Sequence, residues 1–138
     1  MQRRTVTILC LSLFLSLTGY APLAMPDDAF KTPSMSPDDL SQRQNTGHGP
    51  LVVDVRGQSE YRSGHVPGAI NIAPEKLTEH LAELRGAEGV VLYCSNGSRT
   101  RIAEQVLIDN KVPNLFHLEG GVFGWRNGGH PLTTGWAP

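Results

Sequence analysis

Apolar residues fall into short runs separated by polar, often helical, stretches. Leu51-Val52-Val53-Asp54-Val55-Arg56 and Val90-Val91-Leu92-Tyr93 are nearly continuous and β-branched. Ala69 to Ala73 and Leu115-Phe116-His117-Leu118 are shorter runs of the same kind. Continuous rather than alternating runs mark strands buried on both faces. Between them the period lengthens to that of a helix. Leu77, Leu81 and Leu84 predict an amphipathic helix over 74–84, ended by Gly86 and Gly89. Ile102, Ala103, Val106 and Leu107 predict a helix after Cys94, with those four on one face. Ser36 is an N-cap, Pro37 a first helical residue, and Asp38 and Asp39 suit a first turn. That short helix breaks at the glycine-rich stretch 45–50. Glu119-Gly120-Gly121 turns into a short helix carrying Phe123, Trp125 and Arg126, with Trp125 read as core. Residues 25–33 read as a linker ending in a short first strand near Phe30. Strands alternating with helices give an α/β fold, a five-stranded, mostly parallel sheet flanked by helices on both faces. Its crossovers are expected to be right-handed.

The carboxyl ends of strands in such a sheet are where ligands bind. Cys94 closes the most apolar strand, and Ser95-Asn96-Gly97-Ser98-Arg99 leads into the next helix. A loop turning from strand to helix aims successive backbone N–H groups at one spot. The helix adds its positive end, Gly97 permits a left-handed curl, and Arg99 brings a forked cation. Such surroundings favour a thiolate, the nucleophilic form of cysteine. Asp54, a carboxylate inside an apolar run, is read as a structural acid that ties down backbone or a neighbouring loop. Arg56 and Glu60 are spaced to pair, and His65 is read as fixing its loop.

The N-terminus changes the picture of where this chemistry takes place. Arg3 and Arg4 precede an uncharged apolar stretch, Thr5 to Leu17, and small residues follow at Gly19, Ala21 and Ala24. Residues 1–24 therefore read as a secretory signal peptide, cleaved after Ala21 or Ala24. The run is short of the about 20 residues a membrane span needs, so no stable membrane insertion is expected after cleavage. Cys10 lies inside the run and is poorly placed for lipid attachment. Residues 34–138 form the single domain. Removing residues 1–24 leaves a charge of (12 − 2) − 13 = −3 and Cys94 as the only cysteine. An exported chain with one thiol has no internal disulfide, so use is the better reading than scaffolding. The charge and the lack of a basic patch argue against nucleic acid as a partner. The five histidines share no metal-ligand spacing, and there is no CxxC, so neither metal nor cofactor is expected.

Asp54-Val55-Arg56, Glu60-Tyr61, Gly64-His65-Val66-Pro67-Gly68-Ala69-Ile70-Asn71, Tyr93-Cys94-Ser95-Asn96-Gly97-Ser98-Arg99 and Glu119-Gly120-Gly121 with Trp125 occur in that order. Together they resemble a single-domain rhodanese over about residues 34 to 132. The resemblance implies sulfane-sulfur transfer from thiosulfate or a similar donor to cyanide or a thiol. Cys94 is then the nucleophile that carries a persulfide. Ser95, Asn96, Gly97, Ser98 and Arg99 bind substrate, with Arg99 on the donor's sulfonate end. Asp54, Arg56, Glu60 and His65 are framework residues in this comparison. Related phosphatases carry Cys-X5-Arg, whereas this chain has the shorter Cys-X4-Arg loop, better fitted to sulfur than to phosphate. Mercaptopyruvate-specific members end the loop in small uncharged residues, so Arg99 favours thiosulfate. The alternatives are a persulfide or anion carrier with little turnover and, less favoured, a cysteine-dependent phosphatase or arsenate reductase.

Overall fold

The structure, a computed structural model, describes residues 29–137. The signal-peptide reading of residues 1–24 lies outside the described residues, as does the start of the linker.

Eleven elements follow in chain order: β1 (Ser34–Met35), α1 (Pro37–Asn45), β2 (Leu51–Asp54), α2 (Gln58–Ser63), β3 (Ile70–Asn71), a 3₁₀ helix (Pro74–His80), α3 (Leu81–Gly86), β4 (Val90–Tyr93), α4 (Ser98–Asp109), β5 (Leu115–Leu118) and α5 (Gly121–Asn127). The five strands form one sheet in the order β1-β5-β4-β2-β3, and every pairing is parallel. β4 is the central strand, and all four of its residues are buried. Parallel strands need covered faces, which explains the unbroken apolar runs.

Side chains alternate between two cores, as the pleat requires. Val53, Val90, Leu92 and Cys94 join Leu77, Leu84, Ala103 and Leu107 on one face. Val52, Val91 and Tyr93 join Leu40, Tyr61, Val122 and Trp125 on the other. Trp125 is 1% exposed, and its indole donates to the Pro131 carbonyl at 2.7 Å, so it is core as expected.

Four local expectations are corrected. The first strand is Ser34–Met35, not near Phe30; Phe30 instead stacks on His117 at 3.8 Å. A two-residue edge strand has one inward residue, Met35, and leaves no period to read. Residues 74–84 wind as a 3₁₀ helix and then a short α-helix. The leucine spacing specified what turns inward but not how tightly the chain winds. Ile102 is 58% exposed; α4 turns Thr100, Ala103, Glu104 and Leu107 inward. The polar Thr100 and Glu104 displaced the apolar stripe because both turn inward, Thr100 toward the Cys94 sulfur and Glu104 onto partners of its own. Glu104, 1% exposed, accepts from the Lys31 and Thr32 amides at 3.2 and 2.9 Å and from the Thr32 hydroxyl. Finally, Arg56 pairs with Asp54 rather than Glu60, and Glu60 pairs with Arg99.

Candidate active site

The strand-to-helix loop places Cys94 at the carboxyl end of the central strand. Gly97 is the N-cap of α4 at φ 92°, a left-handed conformation that glycine adopts without strain. A Cβ at Gly97 would also lie 2.8 Å from the tip of the Phe30 ring, which would have to shift to admit it. With the loop curled this way, the Gly97 N–H donates to Cys94 Sγ at 3.0 Å.

The thiol is 1% exposed. Burial alone pushes its pKa up. Opposing this are the Thr100 hydroxyl and the amides of Thr100, Gly97 and Asn96, and the balance holds the thiol below its ordinary value. Thr100 Oγ1 is buried and makes no geometrically complete hydrogen bond. It therefore bears on the sulfur as a favourable dipole that is free to tighten onto a charged one. Replacing Thr100 by valine removes that dipole and keeps the shape. The midpoint of alkylation rate against pH is expected to move upward in Thr100→Val, measured with iodoacetamide. The sign follows from linkage. A depressed folded pKa adds stability at alkaline pH, above the unfolded thiol's value, and that stability is lost as pH falls through the folded value.

The other loop residues take different positions. Asn96 Oδ1 accepts from the Ser98 amide at 3.2 Å and the Ser98 hydroxyl at 2.9 Å, closing the loop on itself. The Ser95 hydroxyl donates to Glu60 at 3.3 Å. Arg99 holds both Glu60 oxygens, at 2.6 and 3.0 Å. This bidentate pair draws the Glu60 carboxyl down to about 2, chiefly through the Arg99 hydrogen bonds. The fork of Arg99 is thus occupied in the resting site.

Behind the loop stands a second support that sequence reasoning missed. Gly121 sits at φ 57°, and a Cβ there would lie 2.2 Å from the Cys94 carbonyl oxygen. Only a glycine lets this backbone approach so closely, and the Val122 N–H then donates to that carbonyl at 3.0 Å. The paired glycines 120 and 121 were legible as a turn; what they turn against was not. Gly121→Ala is expected to cost about 1–3 kcal/mol in urea unfolding. It should also slow Cys94 alkylation, because the clash falls on the nucleophile's own backbone.

Beneath the site, Asp54 is fully buried and saturated with donors. It accepts from the Arg56 amide at 2.9 Å, from Arg56 Nη2 at 2.6 Å and from the Tyr93 hydroxyl at 2.8 Å. Tyr93 in turn accepts from the Val66 amide at 3.0 Å, and Arg56 donates to the Gly64 carbonyl at 2.7 Å. The network ties β2, β4 and the loop after α2 together, one residue before Cys94. His65 fixes that loop, as read from sequence. It is fully buried, stacks on Tyr61, and its ring nitrogens lie 2.8 Å from the carbonyls of Tyr61 and Ala137. Among the described residues no cluster of His, Cys, Asp and Glu could hold a metal, and no helix is long and apolar enough to cross a membrane.

A parallel α/β sheet with one amide-held cysteine at the end of its central strand defines a class of cysteine-centred α/β domains. Residues 36–128 match the rhodanese-like domain, and the chain belongs to that family. It is 28% identical over 97 residues to a sulfurtransferase of Allochromatium vinosum, covering 70% of this chain and 91% of that protein. It is 35% identical over 114 residues to an HTH-type transcriptional regulator of Mycobacterium tuberculosis, covering 82% of this chain and 48% of that protein. Among solved structures, a thiosulfate sulfurtransferase of Pseudomonas aeruginosa superposes with a TM-score of 0.70 at 27% identity, covering 77% of this chain and 21% of that one. The chain thus spans only about half of the regulator and a fifth of the larger sulfurtransferase. The family match and the sulfurtransferases among these relatives place the chain in a sulfurtransferase-type family.

Proposed function

We propose that this protein moves sulfane sulfur from thiosulfate or a similar donor to cyanide or a thiol through a persulfide on Cys94. The reading rests on one observation above the others: at the carboxyl end of the central strand, Cys94 Sγ accepts from the Gly97 amide at 3.0 Å in the curl that opens α4. The Cys94 thiolate attacks the outer sulfur of thiosulfate. The S–S bond of thiosulfate breaks, and sulfite leaves with the bonding pair. The negative charge then sits on the outer sulfur of the persulfide, where loop N–H groups stabilise it as an oxyanion hole would. Cyanide attacks that sulfur, thiocyanate departs, and the Cys94 thiolate is restored. Atoms and charge balance in both steps, and no cofactor enters. Ser95, Asn96, Gly97, Ser98 and Arg99 form the binding loop, with Arg99 braced by Glu60.

The place of action is part of the proposal. The apolar N-terminal stretch supports export to the periplasm or the medium, with residues 1–24 removed. Intact mass spectrometry of protein recovered from an exporting host tests both points. Thiosulfate is expected to add one sulfur atom to the cleaved chain, and cyanide to remove it as thiocyanate. No mass gain, or a gain that persists without Cys94, would overturn the transferase reading. A persulfide that forms and resists small acceptors would replace it with a carrier. Rapid Cys94-dependent hydrolysis of an aryl phosphate would replace it with a phosphatase.

A further inference from the structure

A cleft of about 360 Å³ lies in front of the cysteine loop, and Ser95 reaches into it. Two guanidinium groups line this cleft, those of Arg56 and Arg126. Arg56 is committed to Asp54 at 2.6 Å. Glu60, the carboxylate of the cleft, is neutralised by Arg99 through both oxygens. The charges of the walls therefore cancel in pairs, with one exception. Among the described residues Arg126 forms no ion pair. Its guanidinium lies 5.6 Å over the exposed Phe123 ring, which holds it at the cleft without quenching its charge.

Arg126 is also tied to the nucleophile's backbone. The helix that carries it begins at Gly121, against the Cys94 carbonyl, and the Val122 N–H donates to that carbonyl at 3.0 Å. Val122 and Arg126 are four residues apart on this helix, hence on one face, and both line the cleft. The chain, at a net charge of −3 once residues 1–24 are removed, repels a small anion overall, so an uncompensated cation on the cleft wall draws one to that wall.

Resting on the sulfurtransferase reading, we infer that Arg126 receives the negatively charged end of the sulfur donor, an oxyanion of the thiosulfonate type. Arg99, tied to Glu60, braces the loop instead. The substrate class that follows is a small anionic donor rather than a neutral polysulfide.

Two alkylating probes read this without sulfur transfer. Iodoacetate and iodoacetamide both form a carbon–sulfur bond to the Cys94 thiolate and release iodide; they differ in carrying a carboxylate or a neutral amide. Arg126→Gln is expected to slow iodoacetate about fivefold, the size of one unit-charge contact in water, and to leave iodoacetamide unchanged. Arg126→Lys should restore most of the loss. With thiosulfate, Arg126→Gln should raise KM about fivefold with kcat unchanged. Equal slowing of both probes would mean that Arg126 acts through the thiol or the fold, which overturns the inference. So would no change in either, or a selective loss of iodoacetate in Arg99→Gln instead. Wild-type protein that discriminates the probes through Arg126 yet takes no sulfur from thiosulfate supports the anion site and overturns the donor assignment alone.

Discussion

Cys94→Ala is expected to lower thiocyanate formation from thiosulfate and cyanide at least about a thousandfold, with no sulfur gained by mass. The loss has a single cause. Every favourable group at the site converges on one atom: the Gly97 amide at 3.0 Å, the Asn96 and Thr100 amides, and the Thr100 hydroxyl. Without the sulfur these groups have nothing to stabilise, and no other cysteine stands among the described residues. The fold should survive. Cys94 packs as a small apolar side chain against Val53, Leu92 and Ala103 in the core, and alanine keeps most of that surface. Cys94→Ser is the sharper comparison, because its hydroxyl fits the same curl but does not ionise near neutral pH. A serine variant that turns over thiosulfate at the wild-type rate would show that the nucleophile lies elsewhere.

Asp54→Ala carries the largest expected effect on stability, about 3–5 kcal/mol in urea unfolding. Asp54 is fully buried and Arg56 is 6% exposed, so removing the carboxylate strands a guanidinium in the core. The Tyr93 hydroxyl loses its acceptor at the same time. Tyr93 is itself pushed well above the usual phenol range, by burial first and then by the Asp54 charge, so it stays a neutral donor. The double variant Asp54→Ala, Arg56→Met should recover part of the loss, because it removes the stranded charge as well. A single-variant loss under about 1 kcal/mol would mean that water reaches Arg56 and that the network is not what holds β2 to β4.

The strands at Leu51, Val90 and Leu115 were legible because burial on both faces demands unbroken apolar runs. The cysteine loop was legible for a similar reason. A reactive thiol needs a tight turn and a helix start directly after it, and these lie in consecutive residues. Edge strand β1, by contrast, left no trace, since its pairing partner is more than 80 residues away. Ile102 misled because apolar identity was read without the tertiary surroundings that turn Thr100 and Glu104 inward. Thr100 carried a faint signal, a hydroxyl in the first turn of a helix whose start was already recognised. Arg126 carried none, since its meaning depends on which carboxylates the other arginines take.

What the chain determined by itself was everything encoded within a few residues: the buried runs, the helix starts, and a cysteine placed where amides converge. These are local because strand burial, capping and loop curvature act over one or two turns of chain. What only the folded molecule decided was the allocation of charge, Asp54 to Arg56 and Glu60 to Arg99, and the packing of Gly121 on the Cys94 carbonyl. Ion pairs and close backbone approaches are chosen by distance in space, and residues 60 and 99, or 94 and 121, are neighbours only once the sheet has formed.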